Sequence, residues 1–191
     1  MTFLSAYLLP GLIVHKGVWE ILKRRQPMHL RKPPPQDLVS RAAKAAKIVI
    51  LLGLVVQTFL PDVFPILHGD ASWTLRFAGL GIYTLGLATA LAARVQLGKQ
   101  WSDIEVGQLQ EDHQLVDQGV YGLLRHPIYS GDLMLLLGFE LALNSWLFAG
   151  VFVLIPVVVK KALQEEQILV DNLEGYADYR RRIKGFIPYI A

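Results

Sequence analysis

The sequence predicts an all-α, polytopic membrane protein with five transmembrane helices, and three observations carry that expectation. Of the 191 residues, 53% are hydrophobic and only 18% charged, whereas an ordinary soluble domain carries about 25% charged residues. The apolar residues gather in long uncharged runs. The basic residues fall almost entirely between alternate runs. Mean hydropathy is +0.37, and the length predicts one domain, residues 1–191. With no cysteine in the chain, disulfides, thiolate zinc sites and cysteine nucleophiles are excluded.

A membrane-crossing helix needs about 20 mostly apolar residues. The first candidate is Met1 to Leu22, with Pro10-Gly11 inside it and Lys16 and Glu20 one helical turn apart. Those two could pair, although the acid-before-base order is the better one. No Lys or Arg opens this segment and no small-x-small site follows it, so it does not read as a cleaved signal. The second span, Ala42 to Ile66, contains IVILLGLVVQTFL, and the third runs from Phe77 to Ala93. Ile128 to Leu143 is the shortest and carries Asp132 and Glu140. It turns at Asn144-Ser145 into the last span, Ser145 to Val159, as a tight helical hairpin.

Five spans put 17 of the 19 Lys and Arg residues on one face: the 22–47 connection, the 94–125 connection and the tail from Lys160. By the positive-inside rule that face is cytoplasmic, with the N-terminus outside and the C-terminus inside. The basic stretch KRRQPMHLRKPPP ends in three prolines and reads as an extended connector. Its charge sets topology and meets anionic headgroups. It lacks the aromatic platform that single-stranded nucleic acid requires, so nucleic acid is not an expected partner.

Two inward segments are too polar to be simple joints. Gly98 to His126 is well beyond the usual connection length and holds Trp101, Gln108, His113 and Tyr121. After Pro156 the last span is expected to run on as one long helix, whose emergent part carries Lys161, Glu165 and Glu166. Between them stands Arg125-His126-Pro127-Ile128-Tyr129-Ser130-Gly131. Pro127 suits the first turn of a new helix, whose backbone N–H groups, with Arg125 beside them, could hold an anion. The same tripeptide also reads as a helix start at the lipid interface, and both readings stand.

The stretch LVDQGVYGLLRHPIYSG, Leu115 to Gly131, resembles the signature of the isoprenylcysteine carboxyl methyltransferase family, which related phospholipid N-methyltransferases share. Later elements of that pattern look like Glu165-Glu166 and the spaced pair Tyr176 and Tyr179, so the motif-bearing half covers about residues 101–188. Lys161 stands where many members have Arg, and the stretch from Leu173 to Tyr176 is shorter than usual. The resemblance implies an S-adenosylmethionine-dependent methyltransferase whose cofactor site is built from the cytoplasmic loop and the C-terminal helix. By position it implies cofactor contacts at Gln108, His113, Gln114, Leu115, Val116, Tyr121, His126, Pro127, Ile128 and Tyr129. Glu165 is implied at the cofactor's amino end and Lys161 as a substrate-side cation; with Arg125 they are the candidate catalytic residues. Such a donor carries a carboxylate, an ammonium and a sulfonium, and so needs an anion site, a carboxylate and an aromatic or carbonyl wall. A carboxylate acceptor needs no base; an amine must be neutral, and Glu166 or His126 could then take a proton.

The implied partners are the bilayer and a lipophilic or prenylated acceptor, with no obligate protein partner. The glycines Gly79, Gly81 and Gly86 lack nucleotide-loop spacing and a preceding strand, and read as close helix packing. His15, His29 and His68 are scattered, so no metal site is expected. Asp132 and Glu140 share one helix face and either line the site or are simply hydrated. Tyr176 and Tyr179 read as docking the tail onto the inner leaflet. Two alternatives stay open: an NADPH-dependent membrane reductase of the sterol-reductase type, and a non-catalytic membrane protein.

Overall fold

Residues 3–24 wind into one helix, α1 (Phe3–Arg24), that passes straight through Pro10 and Gly11. In the computed structural model, residues 3–24, 38–60, 65–100 and 113–188 are described. Within them α2 spans Leu38–Phe59, α3 Ala71–Leu97, α4 Pro127–Ala142, α5 Phe148–Asn172 and α6 Tyr176–Arg182. The five expected helical segments are all present. The expected long terminal helix is there too: α5 continues through Pro156 and on past Glu165 and Glu166. A separate α6 was not anticipated. Nor does Lys16 take Glu20 as a partner; Arg24 Nε meets Glu20 Oε1 at 3.1 Å, the acid-first order that a helix favours.

Helices α3 and α4 form the tightest pair, and glycine is the reason. They run antiparallel, so that Gly79 meets Leu141 and Ala142, Tyr83 meets Gly138, Gly86 meets Leu135, and Ala90 meets Gly131. A Cβ on Gly131 would sit 2.6 Å from the Ala90 nitrogen, and one on Gly138 would sit 2.6 Å from the Tyr83 Cα. Small residues let two backbones approach this closely, as they do between helices in lipid. The packing reading of Gly79 and Gly86 is borne out. Gly81 points into open space and takes no part.

Helix α1 lies over the α3–α4 seam with Leu4, Leu8 and Leu12 against Tyr83, Leu135, Phe139 and Leu143. Tyr83 donates its hydroxyl to the Leu8 carbonyl at 2.7 Å. The first turn of α1 is tied to the end of α2 by Ser5 Oγ donating to the Thr58 carbonyl at 2.8 Å. The hairpin between α4 and α5 turns on Asn144, whose φ of 56° is a left-handed conformation that Asn tolerates. Its side chain accepts from the Leu67 N–H at 3.0 Å and donates to the Leu67 carbonyl at 2.7 Å. Glu140, buried beside this turn, accepts from Gln57 Nε2 at 2.8 Å.

By length and apolarity alone, α3 is the one helix among the described residues that qualifies outright as a membrane span, with 48–59 a shorter apolar stretch. The other helices carry more charged and polar residues, and α4, at 16 residues, reaches about 24 Å. Outside the packed seams the bundle is oily. Ile13, Val49, Phe77, Leu85, Phe152 and Val157 are all exposed, and apolar surface on that scale belongs in a nonaqueous setting. Trp73 and Trp146 are exposed at the starts of α3 and α5, where interfacial aromatics sit in membrane proteins.

Candidate active site where α4 begins

Opposite the hairpin end, residues 113–126, which lead into α4, pack against α5 and α6. Gln96, near the end of α3, clamps this loop: Nε2 donates to the Gln118 carbonyl at 2.9 Å, and Oε1 accepts from the Val120 N–H at 3.1 Å. The clamp presses against Gly119, whose φ of 55° and whose missing Cβ (2.8 Å from Gln96 Cδ if built) both demand glycine. The short 3-10 turn Gly119–Gly122 then buries Tyr121. Tyr179 of α6 donates to the Tyr121 carbonyl at 2.7 Å, with the Tyr176 ring set edge-on to it at 5.6 Å. The two tyrosines therefore do dock the tail, but onto this loop. Burial raises the phenol pKa of Tyr121, Tyr176 and Tyr179, so all three stay neutral.

At the start of α4 the sequence Arg125-His126-Pro127 makes a corner, with Pro127 in the first helical turn. The corner closes around Glu166. Arg125 Nε donates to Glu166 Oε1 at 2.8 Å, His126 Nε2 lies 2.7 Å from the same oxygen, and Arg180 Nε lies 3.0 Å from Oε2. Burial by itself would raise the pKa of this carboxyl. The hydrogen bonds and charges of His126 and Arg125 outweigh it and hold the pKa at about 2. The tail is strapped over the same corner. Arg125 N–H donates to the Lys184 carbonyl at 2.8 Å, His126 N–H to the Gly185 carbonyl at 3.0 Å, and Ser130 Oγ to the Phe186 carbonyl at 2.9 Å. Arg125 Nη1 also reaches the Arg180 and Ile183 carbonyls, and the Phe186 ring stacks on His126 at 5.1 Å.

This narrows the sequence reading of the corner. The Arg125 guanidinium is turned onto Glu166 and the tail, and the N–H groups of Arg125 and His126, just ahead of the helix, bond to tail carbonyls. Ser130 N–H bonds to His126. The groups that the helix cannot satisfy from its own carbonyls are the N–H of Ile128 and Tyr129. The adjacent face holds the other glutamate. Tyr129 OH donates to Glu165 Oε1 at 2.5 Å, Lys161 Nζ lies 4.0 Å from that oxygen, and the Lys161 ammonium sits 5.9 Å from the Tyr129 ring centre.

The remaining candidates approach from the loop. Gln114 N–H donates to Gln100 Oε1 at 2.9 Å, and the Leu115 side chain lies 3.6 Å from where a Cβ on Gly175 would be. His113 is half-buried with Nδ1 buried and unbonded among the described residues, and its pKa is lowered by burial. Val116 is half-buried beside it, and Pro127 is buried. Gln108 and Trp101 lie outside the described residues. Sequence reasoning missed the Gln96 clamp, the Arg180–Glu166 contact and a pairing of His15 with Asp132 at 2.9 Å. None has a local sequence signal, because each joins distant parts of the chain.

An all-α bundle with an oily surface and a polar corner at one end has a counterpart among solved membrane-protein folds. The structure is similar to that of a eukaryotic intramembrane Ras methyltransferase, isoprenylcysteine carboxyl methyltransferase, with a TM-score of 0.63 and 21% identity over 93% of this chain and 63% of that one. The phospholipid methyltransferase family model matches residues 74–174, just over half the sequence, and the chain belongs to that family of membrane methyltransferases. It is 31% identical over 116 residues to protein-S-isoprenylcysteine O-methyltransferase of Schizosaccharomyces pombe, covering 59% of this chain and 49% of that protein. It is 28% identical over 142 residues to cobalt-zinc-cadmium resistance protein CzcN of Cupriavidus metallidurans, covering 72% of this chain and 62% of that protein. The chain thus spans about half the length of the fission-yeast relative. The resemblance carried by Leu115 to Gly131 is borne out.

Proposed function

We propose that the protein transfers a methyl group from S-adenosylmethionine to a lipophilic acceptor at the cytoplasmic surface of a membrane it crosses five times. The observation that carries this is Glu165, a carboxylate held by Tyr129 and Lys161 beside the start of α4. The residues around it fit an amino-acid-like sulfonium. Glu165 offers a counter-charge to an ammonium, and the N–H groups of Ile128 and Tyr129 offer an anion site at the positive end of α4. The loop from His113 to Val116, with Tyr121 and His126 behind it and Gln108 preceding it, would supply the remaining walls. When bound, the cofactor supplies an electrophilic methyl group.

The chain's own residues then bind, orient and exclude water. Such a transfer is an in-line displacement, so alignment and desolvation supply most of the acceleration. Arg125, with Pro127 and the Glu166 knot, acts as a positioning residue that fixes α4 against the tail. Lys161 would face the acceptor from the substrate side. A prenylcysteine carboxylate and a lipid amine both fit an acceptor whose tail remains in the bilayer.

Titration of S-adenosylhomocysteine into the purified protein tests the reading. Wild type should bind. Glu165→Gln keeps shape and loses charge, and a charge-assisted hydrogen bond contributes roughly 1.5–3 kcal/mol, so affinity should fall about tenfold to a hundredfold. Unchanged affinity in Glu165→Gln with a large loss in Glu166→Gln would move the cofactor contact to Glu166. Binding of NADPH but not S-adenosylhomocysteine would replace methyl transfer by the reductase chemistry.

A further inference from the structure

One polar pair in the bundle is used by nothing described so far. His15, just past the middle of α1, places Nε2 2.9 Å from Asp132 Oδ1 on α4. Other long-range polar contacts between the helices join a hydroxyl to a backbone carbonyl (Tyr83 to Leu8), two hydroxyls (Tyr7 and Thr84) or an amide and an acid (Gln57 and Glu140), whereas here a base meets an acid. This one is reachable, with side-chain exposures of 22% for His15 and 35% for Asp132. An ionisable pair inside a membrane bundle is costly to keep and is a site by default.

Its position gives it a task. Asp132 follows Tyr129 by three residues on α4, so the two side chains are neighbours on one helix surface, one turn apart. Tyr129 in turn holds Glu165. The pair therefore sits one turn deeper into the bundle than the cluster assigned above to methyl transfer, where the head of an acceptor entering from lipid would lie. Its electrostatic surroundings are Arg94 of α3, which lies within charge range of Asp132, and His15 of α1. Arg94 is itself fixed, buried with its guanidinium 4.3 Å from the Trp19 ring centre.

We infer that His15 is the proton acceptor for an amine-bearing lipophilic substrate, with Asp132 its positioning residue. The inference rests on the methyl-transfer reading above. Asp132 accepts only, so it fixes the imidazole tautomer with the proton on Nε2 and leaves Nδ1 as the basic nitrogen. Nδ1 makes no hydrogen bond among the described residues. A lipid ammonium gives one proton to Nδ1, forming an imidazolium that Asp132 stabilises. The freed nitrogen lone pair forms the N–C bond to the methyl carbon as the C–S bond breaks, its electrons remaining on sulfur. The methylated ammonium leaves, and His15 gives up its proton to water before the next turnover. A carboxylate acceptor would need none of this, so the pair selects for nitrogen.

The test uses the full chain in phosphatidylglycerol vesicles with S-adenosylmethionine and two separate probes, phosphatidylethanolamine and N-acetyl-S-farnesylcysteine. Wild type should methylate the amine probe. Positioned general bases contribute about 10²–10⁴-fold, so His15→Ala should lower kcat for that probe by about 100-fold with little change in KM. Added imidazole should restore part of the loss, which a merely structural histidine would not allow. His15→Gln, which can still donate to Asp132, should fold like wild type and be equally slow. Asp132→Asn should lose about tenfold, and all three variants should bind S-adenosylhomocysteine as wild type does. Methylation of the farnesylcysteine carboxylate alone would overturn the inference and leave methyl transfer standing, as would undiminished amine methylation in both His15 variants. Failure of wild type to bind S-adenosylhomocysteine would remove both.

Discussion

Glu166→Gln should release the C-terminal strap without dissolving the bundle. In the native protein the carboxylate is 1% exposed and lies against Arg125, His126 and Arg180. Its pKa is held at about 2, below the ordinary 4.5. One pKa unit corresponds to about 1.4 kcal/mol, so the ionised group contributes on the order of 3 kcal/mol. That agrees with the roughly 3–5 kcal/mol lost when one partner of a buried ion pair is removed. The sign follows from the depressed value. The contribution is complete above pH 4.5 and disappears as pH falls towards 2, with less than half of it left at about pH 3. The strap carries its own reporter, since Arg180, Arg181 and Arg182 are exposed trypsin sites on α6. If cleavage follows local opening, a loss of about 3 kcal/mol should speed tryptic release of the tail by about 100-fold at neutral pH. Glu165→Gln should leave that rate unchanged. An acid-stable protease should show the wild-type tail loosening between pH 4.5 and 2 while the Glu166→Gln tail shows no further response. Equal cleavage of Glu166→Gln and wild type at neutral pH would refute the claim that this carboxylate holds the tail.

Two further outcomes test the fold. Gly138→Ala places a methyl group against the Tyr83 backbone of α3, which cannot yield as a side chain would, and overpacking of this kind costs about 1–3 kcal/mol. Its thermal midpoint in detergent should fall, whereas Gly81→Ala, which meets open space, should hold or rise by the helix preference for alanine. Equal midpoints for the two would remove the close-packed seam. For topology, a cysteine replacing exposed His68 should react with an impermeant maleimide from outside, and one replacing exposed Lys184 only from the cytoplasmic side. Reaction of both from the same side would mean that the number of crossings between them is not odd.

How much of this was legible in the sequence depends on how far apart the interacting residues stand. Helix positions follow from runs of apolar residues, a local property, and all five long helices fall where those runs predict. Their ends were less legible. Helix α3 extends well beyond Phe77 to Ala93 on both sides, because Trp73, Thr74 and Gln96 are acceptable helix residues whether or not they are apolar. The α3–α4 seam was half legible: Gly79 and Gly86 announced close packing, but not that Gly131 and Gly138 of α4 would be their counterparts. Nothing in the order of residues could single out Gln96, which reaches 24 positions along the chain to bind Val120.

The two adjacent glutamates show why a motif can be right while the roles within it stay open. Neighbouring residues on a helix point about 100° apart, so Glu165 and Glu166 cannot face the same partner. Only the placement of α4 and the tail against α5 decides which faces what. That placement turns Glu166 inward to three basic side chains and leaves Glu165 for Tyr129 and Lys161. The two carboxylates thereby acquire opposite constraints. Glu166, already committed to the knot, is poorly suited to release its charge to a ligand or to take up a proton near neutral pH, since its pKa is about 2. Glu165 bonds to the Tyr129 phenol and stands at ion-pair distance from Lys161, the cation that the ammonium of the proposed cofactor would replace. Helix rotation therefore sets which carboxylate holds the corner together and which is left to the proposed ligand, and a shift of one residue in α5 would move one glutamate into the other's place and put Gln164 or Gln167 in the position vacated.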